Sequence, residues 1–266
     1  MLPPPLKDLF AARPQPPSHV ATLIGRPLGE DAVGAFAGQL SRHGWRVLGG
    51  EWLSLPGSPR GCLEVALAGD EASLPPLREA ALALAAEWPV DICLQREGPL
   101  RRHRRLAVFD MDSTLIEAEV IDELAGAAGV REAVSAVTER AMRGEIDFRE
   151  SFRARLGTLR GLDSACLDDI AASLRLVDGA RQLVATLRAL GVHTAILSGG
   201  FDYFARDVQA RLGIHEVHAN RLELADGLLT GAALEPIVDG ARKAALLREL
   251  AARQGLTPAH VLAVGD

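Results

Sequence analysis

Two aspartates directly follow an apolar stretch near the middle of the chain. Leu106 to Phe109 is apolar, and Asp110 and Asp112 come next with one methionine between them. Carboxylates at the end of a buried strand are unfavourable unless a metal ion or a reaction compensates for their burial. One carboxylate can attack a phosphoryl group while a neighbour donates and accepts protons. The pair therefore predicts phosphoryl transfer, with Asp110 as the nucleophile and Asp112 as the general acid and base.

Two further apolar stretches also end in polar or small residues. Thr194 to Leu197 precedes Ser198-Gly199-Gly200, and Val261 to Val264 precedes Gly265-Asp266. If all three stretches are parallel strands, their carboxyl ends meet at one edge of the sheet. We then expect Asp266 to share a Mg²⁺ ion with the first aspartate, because carboxylate oxygens are preferred ligands of that ion.

Three groups are candidates for holding a phosphate at the same edge. The Ser198 hydroxyl and the Gly199 amide would hydrogen-bond its oxygens, and Lys243, in a helix before the last strand, would supply a positive charge. Each feature has a plainer explanation when taken alone. Asp112 could cap a helix, the glycine pair could form a turn, and Lys243 could be a surface lysine. Their common position at strand ends favours one shared site.

The composition is that of an ordinary soluble protein. The chain has 266 residues, of which 48% are hydrophobic and 24% charged, and this length suggests about two domains. The net charge of −6 argues against a nucleic-acid partner. No apolar stretch approaches the roughly 20 residues that a membrane helix needs. Three scattered cysteines favour a reducing compartment, so we predict a cytoplasmic protein.

The first part of the chain has the pattern of a small α+β domain. Residues 1–18 are rich in proline and are predicted to be disordered. Residues 19–97 follow the order βαββαβ, which is typical of ferredoxin-like domains. Residues 98–105 form a basic linker that could be a nucleic-acid-binding arm. The negative net charge favours instead a solvated linker, or one that pairs with acidic residues.

Residues 106–266 alternate strands with helices, which predicts a doubly wound parallel sheet of the α/β class. The predicted parallel strands lie near 106–109, 192–197 and 261–264. Asp226-Gly227 is a turn signal between two short strands. A helical insertion at about 119–174 is longer than a sheet crossover needs. We expect this insertion to form a cap over the edge that holds the site.

These motifs resemble the haloacid dehalogenase superfamily and, within it, the phosphoserine phosphatase family. The similarity extends from about Leu106 to Asp266 and lies in DxDST at 110–114, SGGF at 198–201, Lys243 and the final Gly-Asp. The first domain resembles the ACT-type domain in the order of its elements. The resemblance implies Mg²⁺-dependent hydrolysis of O-phosphoserine to serine and phosphate through an aspartyl-phosphate, the last step of serine biosynthesis.

The resemblance also implies roles for individual residues. The implied substrate-binding residues are Glu119, Met142, Phe148, Arg155, Ser198, Gly199 and Lys243, and the implied metal ligands are Asp110, the main-chain carbonyl of Asp112, and Asp266. A zwitterionic amino acid needs one fixed anion and one fixed cation. Glu119 matches the anion that binds the substrate ammonium. Arg155 matches the cation that binds the substrate carboxylate, and Arg153 is a competing candidate for this role. Met142 and Phe148 would cover the substrate.

Alternative functions stay open from the sequence. They are a phosphatase for another small phosphate ester, a phosphomutase, and a non-catalytic, amino-acid-binding regulatory protein. Asp112 disfavours a dehalogenase, because a leaving oxygen needs a proton donor and a halide does not. The family pattern continues beyond the final Gly-Asp, whereas this chain ends at Asp266, so we expect a fragment of a longer protein. Edge-to-edge pairing of the first domain could also form a homodimer.

Overall fold

The computed structural model describes residues 16–56 and 58–265. The chain divides into two compact units between Arg102 and His103, a position within the predicted basic linker. Among the described residues, no helix combines the length and the apolar character that crossing a membrane would require.

Two predictions concern residues outside the described ranges. They are the disorder of residues 1–15 and the metal-binding role of Asp266. The sequence also placed Ser18 in the disordered segment, and here the prediction is wrong. The Ser18 amide donates to the carbonyl of Leu67 at 2.9 Å, and its own carbonyl accepts from the amide of Glu97 at 2.9 Å. These bonds fix Ser18 to two strands of the first sheet.

The first unit is an antiparallel sheet with two helices packed on one face. Its strands and helices occur in the order βαββαβ that the sequence predicts. They are β1 (His19–Gly25), α1 (Glu30–Arg42), β2 (Arg46–Trp52), β3 (Gly61–Ala68), α2 (Leu74–Glu87) and β4 (Val90–Arg96). The strand order in the sheet is β2-β3-β1-β4, and each neighbouring pair is antiparallel.

Alternation along the strands gives this sheet its buried face. Ala21 and Leu23 of β1 are fully buried and share one core with Phe36 of α1 and Leu77 of α2. Successive side chains of a strand point to opposite faces, so a residue between two core positions lies on the other face. Burial of each large apolar side chain stabilises the fold by about 1.5–3 kcal/mol relative to exposure.

Glu64 of β3 lies between core residues and is nevertheless buried, with 4% of its side chain exposed. It is held by two arginines of the linker, Arg101 at 2.9 Å and Arg102 at 2.5 Å. Arg101 also pairs with Glu97 at 3.2 Å. The linker thus pairs with acidic residues, as one of the two sequence alternatives predicted.

The second unit combines a five-stranded sheet with a helical insertion. Its elements are β5 (Leu106–Phe109), α3 (Val120–Ala127), α4 (Arg131–Met142), α5 (Phe148–Thr158), α6 (Cys166–Ser173), α7 (Ala180–Ala189), β6 (His193–Phe201), α8 (Asp202–Leu212), β7 (Glu216–Ala225), β8 (Leu228–Leu234), α9 (Gly240–Arg253) and β9 (Val261–Val264).

The strand order of this sheet is β8-β7-β6-β5-β9. Strands β6, β5 and β9 are parallel, as predicted. Strand β7 also runs parallel to β6, but β8 runs antiparallel to β7, so the sheet is mixed and not wholly parallel as expected. The reversal occurs at Asp226 (φ 50°) and Gly227 (φ 79°), which form the predicted tight turn. Two successive residues with positive φ return the chain at once, and this leaves no room for the crossover that a parallel strand needs.

Strand β5 lies between β6 and β9, and all four of its residues are buried. Its last residue, Phe109, pairs with Ile196 of β6 and with Val264 of β9. The pairing among the three strands therefore ends at one level, and the residues that follow it are brought to one edge of the sheet.

Helices α3–α6 form the cap, and two chain segments connect it to the sheet. Ile116 pairs with Leu176 in an antiparallel bridge. On either side, the Glu117 amide donates to the carbonyl of Arg175 at 3.0 Å, and the Val177 amide donates to the carbonyl of Leu115 at 3.0 Å. The insertion predicted at about 119–174 lies between these two segments.

The buried Glu64 generates a stability prediction. Arg101→Met should lower the unfolding free energy of the first unit by about 1–3 kcal/mol, because it removes a charged partner from a buried carboxylate. Arg102→Met is the matched control, since 59% of the Arg102 side chain is exposed against 12% for Arg101. Tryptophan fluorescence in urea reports on this unit alone, because the chain's three tryptophans all precede residue 89. Equal losses in the two variants would show that burial does not set the strength of this pair.

Candidate active site

Asp110 is the first residue after β5, and its carboxylate is held on both oxygens. The Asp110 amide donates to the carbonyl of Val264 at 2.9 Å, which extends the pairing of β5 with β9. Oδ1 accepts from the amide of Met111 at 2.8 Å, and Oδ2 forms an ion pair with Nζ of Lys243. The side chains of Asp110 and Lys243 both remain about a quarter exposed, at 26% and 28%. The carboxylate is therefore oriented and accessible.

Lys243 reaches the site from the first turn of α9. Asp239 caps this helix, and its Oδ1 accepts from the amide of Arg242 at 2.8 Å. The amide of Lys243 donates to the carbonyl of Asp239 at 2.8 Å. The lysine is thus fixed near a helix N-terminus, where unpaired amides and the helix dipole favour anions.

Asp112 is largely buried beside the same cavity. Its Oδ1 accepts from the amide of Val120 at 3.0 Å. Burial raises the pKa of Asp112 to about 7, and the negative charges of Glu119 and Asp110 act in the same direction. The Val120 amide and Lys243 oppose this shift of the pKa. A carboxyl group with a pKa near neutrality can both donate and accept a proton at physiological pH.

Ser113 adopts a left-handed backbone conformation, with φ of 53°. Its hydroxyl donates to Oε1 of Glu119 at 2.7 Å, and its amide donates to the carbonyl of Ala118 at 3.3 Å. This conformation is uncommon for a residue with a side chain and frequently occurs where surrounding contacts impose it. Here the tight turn brings Glu119 back toward the two aspartates. The sequence analysis assigned no role to this serine.

The segment Ser198–Gly200, here named the glycine loop, passes beneath the cavity. Ser198 is fully buried, and its hydroxyl accepts from the amide of Gly200 at 2.9 Å. A Cβ on Gly200 would lie 3.0 Å from Cε of Met111 and would collide with the Asp112 carboxylate. Glycine is therefore required at position 200 by close packing, a need that the sequence analysis also missed.

The structure changes the interpretation of Ser198. Gly199 and Gly200 line the cavity, whereas Ser198 does not. The predicted contact between the Ser198 hydroxyl and a phosphate stays a prediction. In this arrangement the hydroxyl accepts from the Gly200 amide and supports the loop.

Asn220 of β7 is buried under the same loop, with no exposed surface. Its Nδ2 donates to the carbonyl of Gly199 at 2.8 Å, and its Oδ1 accepts from the amide of Val238 at 2.7 Å. One signal could have identified this residue from the sequence, because an asparagine within a strand has to find hydrogen-bond partners when it is buried.

A cavity of about 210 Å³ joins the sheet edge to the cap. It is lined by Asp110, Asp112, Glu119, Val120, Ile121, Phe148, Phe152, Arg155, Gly199, Gly200, Phe201 and Lys243. This volume is below the 300–1,000 Å³ that is typical of sites for drug-sized ligands, so the cavity fits a small molecule. Acidic and basic side chains are both present, which favours a ligand with charges of both signs.

Phe148 closes part of the cavity from the cap side. Its ring stacks on Phe152 with centroids 5.8 Å apart, and a Cβ on Gly199 would lie 3.4 Å from Cζ of Phe148. The neighbouring Arg149 pairs with Asp239 at 2.8 Å. The cap helix α5 therefore contacts both the glycine loop and the helix that bears the lysine.

Arg155 and Arg153 point to different surroundings. Arg155 lines the cavity, and its Nε is buried without a hydrogen-bond partner among the described residues. Burial lowers the pKa of Arg155, although the charges of Asp122 and Glu119 oppose the shift. Arg153 is 67% exposed and lies 3.6 Å from Glu235. Of the two candidates, the structure brings only Arg155 to the cavity.

Met142 is not brought to the cavity. It is the last residue of α4, and 84% of it is exposed. The prediction that Met142 covers the substrate is therefore not met in this arrangement. Val134 is the residue that α4 buries, and Met142 lies eight residues further along, at the exposed end of the helix.

The oxygen donors at the sheet edge fit a magnesium site. Asp110 presents a carboxylate, and no hydrogen bond within the described residues is donated to the main-chain carbonyl of Asp112. A Cβ on Gly265 would lie 3.7 Å from Cβ of Asp110, so Gly265 lies directly beside the first aspartate. Hard oxygen ligands of this kind suit Mg²⁺. Within the described ranges, no group of three or more His, Cys, Asp or Glu side chains is placed to hold a metal.

Comparison with known proteins agrees with the fold and with this set of residues. Residues 107–266 match the family of haloacid dehalogenase-like hydrolases, and the chain belongs to that family. Over 247 residues it is 41% identical to a phosphoserine phosphatase of Streptomyces coelicolor. This alignment covers 93% of the chain and 59% of the relative, so the chain spans less than two thirds of the relative's length.

Two solved structures are also similar to the chain. A probable phosphoserine phosphatase from Vibrio cholerae, in unliganded form, has a TM-score of 0.73 at 29% identity and covers 98% of this chain and 79% of its own. A phospho-aspartyl intermediate analogue of phosphoserine phosphatase has a TM-score of 0.58 at 34% identity, over 62% of this chain and 79% of its own.

The raised pKa of Asp112 generates a prediction for the metal-free protein. Its pKa changes from 3.8 to about 7 on folding, so the folded state binds more protons between these values and stability falls as the pH rises through them. Asp112→Asn removes this dependence. In urea unfolding with a chelator, the variant should be more stable than the wild type at about pH 8, by on the order of 4 kcal/mol, and the difference should shrink as the pH falls toward about 4.

Glu117→Gln is the control for this experiment, because Glu117 is an exposed acid in the same connection. It should leave the pH dependence of unfolding unchanged. Parallel stability curves for wild type and Asp112→Asn would show that Asp112 titrates as a solvated carboxyl group.

Proposed function

We propose that this chain hydrolyses O-phosphoserine to serine and phosphate through an aspartyl-phosphate on Asp110. One observation supports this more than any other. The cavity is lined by a candidate nucleophile and a candidate proton donor at the sheet edge. On the cap side it is lined by Arg155, whose Nε is buried with no hydrogen-bond partner among the described residues. A buried, unpaired polar group is unfavourable in the empty protein, so a ligand carboxylate that pairs with Arg155 would be bound strongly.

In the first step, an oxygen of the Asp110 carboxylate forms a bond to phosphorus while the bond from phosphorus to the serine oxygen breaks. Asp112 is protonated for a substantial fraction of the time near neutral pH, because its pKa is about 7. It gives this proton to the departing serine oxygen. Serine then leaves, and the phosphoryl group remains on the aspartate.

In the second step, water attacks the phosphorus of the aspartyl-phosphate. Asp112, now a carboxylate, accepts a proton from this water. The bond from phosphorus to Asp110 breaks, phosphate is released, and the Asp110 carboxylate is regenerated. Lys243 and the amides of the glycine loop would bind the phosphate oxygens in both steps, which explains why the glycines must line the cavity.

We assign Mg²⁺ to Asp110, the main-chain carbonyl of Asp112, and Asp266. When bound there, the ion would neutralise phosphate charge and hold the reacting group in line with the nucleophile. The support is the set of oxygen donors and the position of Gly265 beside Asp110.

The cap would select the amino-acid part of the substrate. Glu119, oriented by Ser113, would bind the ammonium group, and Arg155 would bind the carboxylate. Phe148 would cover the short apolar part between them. A phosphatase for simple esters would not need two opposite charges on the cap side. The relative from Streptomyces coelicolor and the phospho-aspartyl analogue structure support the same substrate and intermediate.

We further propose that the first unit is an ACT-type regulatory domain. Its support is the order βαββαβ together with the sheet order β2-β3-β1-β4 and two helices in a single core.

The proposed nucleophile can be tested directly. Asp110→Asn should reduce turnover of phosphoserine by about 10⁴-fold or more, because the amide cannot form the acyl phosphate. Glu132→Gln, which changes an exposed acid of the cap outside the cavity lining, should retain most of the activity. Acid-quenched wild type should carry a phosphate on Asp110 in peptide mass spectrometry. Turnover by Asp110→Asn at the wild-type rate, or an adduct on another residue, would reject the mechanism.

The proposed carboxylate contact generates a second test. Arg155→Ala should lower kcat/KM for phosphoserine by roughly 10- to 100-fold, which corresponds to the loss of a charged hydrogen bond. It should affect an aryl phosphate much less, because that substrate has no carboxylate. Arg153→Ala is the matched control, since this exposed arginine belongs to the same helix, and it should change neither value appreciably. Equal losses on both substrates would contradict the assignment of Arg155.

A further inference from the structure

We propose that Asn220 is a positioning residue that fixes the glycine loop against the N-terminus of the lysine helix α9. The inference rests on the proposed function, because both of these segments are assigned there to phosphate binding. Asn220 does not line the cavity and is fully buried. It would act through its neighbours and would not touch the substrate.

The need for such a residue arises from an irregularity in the sheet. Strand β6 pairs with β7 at Leu197 opposite His218, and pairing resumes at Phe201 opposite Asn220. Between these two points, the three residues of the glycine loop lie opposite the single residue Ala219. The loop therefore leaves the regular ladder and loses the backbone bonds that would have fixed it. Irregularities of this kind are common next to active sites, where they redirect the chain.

Asn220 supplies the missing bonds with its side chain. Its Nδ2 donates to the carbonyl of Gly199 at 2.8 Å, in the middle of the loop. Its Oδ1 accepts from the amide of Val238 at 2.7 Å, and a longer contact of 3.5 Å joins Nδ2 to the carbonyl of Val238. One planar amide thus bridges two chain segments that are far apart in the sequence.

The second partner leads directly to the lysine. Val238 precedes Asp239, the N-cap residue of α9, and the carbonyl of Asp239 accepts from the amide of Lys243 at 2.8 Å. A displacement of Val238 would therefore be transmitted to Lys243 through one turn of backbone. Since Gly199 and Lys243 both line the cavity, Asn220 sets the spacing between two phosphate-binding groups.

The bridge made by Asn220 depends on the amide group of its side chain. The bridge requires one donor and one acceptor in the same plane, which an amide provides and an apolar side chain does not. A carboxylate of the same shape could still accept from Val238, but it would place an oxygen against the carbonyl of Gly199. If protonated, it could donate to that carbonyl and restore the bridge. This difference makes the role of Asn220 measurable.

The test measures the affinity of the full chain for inorganic phosphate, with Mg²⁺ present, by isothermal titration calorimetry. Asn220→Ala should raise the Kd by about 10- to 100-fold, the range found when a residue that supports a binding group is removed. Turnover of phosphoserine and of an aryl phosphate should fall by the same factor, because both substrates use the phosphate groups equally. Selectivity between them should stay unchanged, unlike the result expected for Arg155→Ala.

Asn220→Asp supplies a readout that a purely structural role would not give. The ratio of its Kd to the wild-type Kd should be large at about pH 8 and should decrease as the pH falls, because protonation of the introduced carboxyl group restores the donor. Comparison as a ratio removes the titration of phosphate and of Asp112, which occurs in both proteins. Asn220→Asp also tests the inference if Asn220→Ala does not fold.

Thr194→Val is the matched control. Thr194 is also fully buried, and its Oγ1 lies 2.8 Å from Nδ1 of His215, the residue before β7, but it occupies the opposite end of β6. The control should leave the phosphate Kd within about twofold, even if it lowers the melting temperature. Losses of affinity as large as those of Asn220→Ala would show a structural effect only and would overturn the inference.

The remaining outcomes separate this inference from the proposed function. If the wild type binds phosphate and hydrolyses phosphoserine, and both Asn220 variants do so equally well at every pH, the inference is wrong and the proposed function stands. A wild type that neither binds phosphate nor hydrolyses the ester would reject the proposed function, and the inference would be rejected with it.

Discussion

The ion pair between Lys243 and Asp110 connects the two ends of the second unit. Asp110 follows the first strand of this unit, whereas Lys243 lies in the helix before its last strand. A carboxylate at the end of a buried strand needs a compensating charge, and here the protein supplies one from a helix that is distant in the sequence. The pair orients the carboxylate of the proposed nucleophile. It also places a cation where the phosphate would bind, so one contact serves the empty site and the proposed reaction.

Asp110 and Asp112 differ in their exposure and in their charged neighbours. Asp110 is partly exposed and is paired with a cation, whereas Asp112 is largely buried and its pKa is raised to about 7. Two carboxyl groups that are two residues apart thus lie in different surroundings, and burial raises the pKa of Asp112 through its own surroundings. The glycine loop enforces the difference, because only glycine at position 200 lets the backbone pass so close to the Asp112 carboxylate.

The cap contacts both phosphate-binding segments of the proposed site. Arg149 pairs with Asp239, which caps the lysine helix, and Phe148 lies against the glycine loop. Both residues belong to the first turn of α5, which a capping box from Asp147 initiates. Arg155 follows on the same helix and reaches the cavity, so one well-defined helix start determines where the buried guanidinium lies. The sheet edge and the cap are therefore parts of a single site.

The sequence by itself determined the elements and the positions of the acids at strand ends. Apolar runs, glycines and the Asp226-Gly227 turn are local signals, and an element such as β5 has the predicted bounds because local patterns specify it. Only the tertiary structure decided which side chains face the cavity. Arg153 and Arg155 are two residues apart, so they lie on nearly opposite faces of a helix with 3.6 residues per turn. The packing of this helix depends on residues that are distant in the sequence, and it places Arg155 at the cavity. The same dependence buried Ser198, exposed Met142 and gave Asn220 its two partners, because contacts between segments far apart in the chain leave no periodic pattern in the sequence.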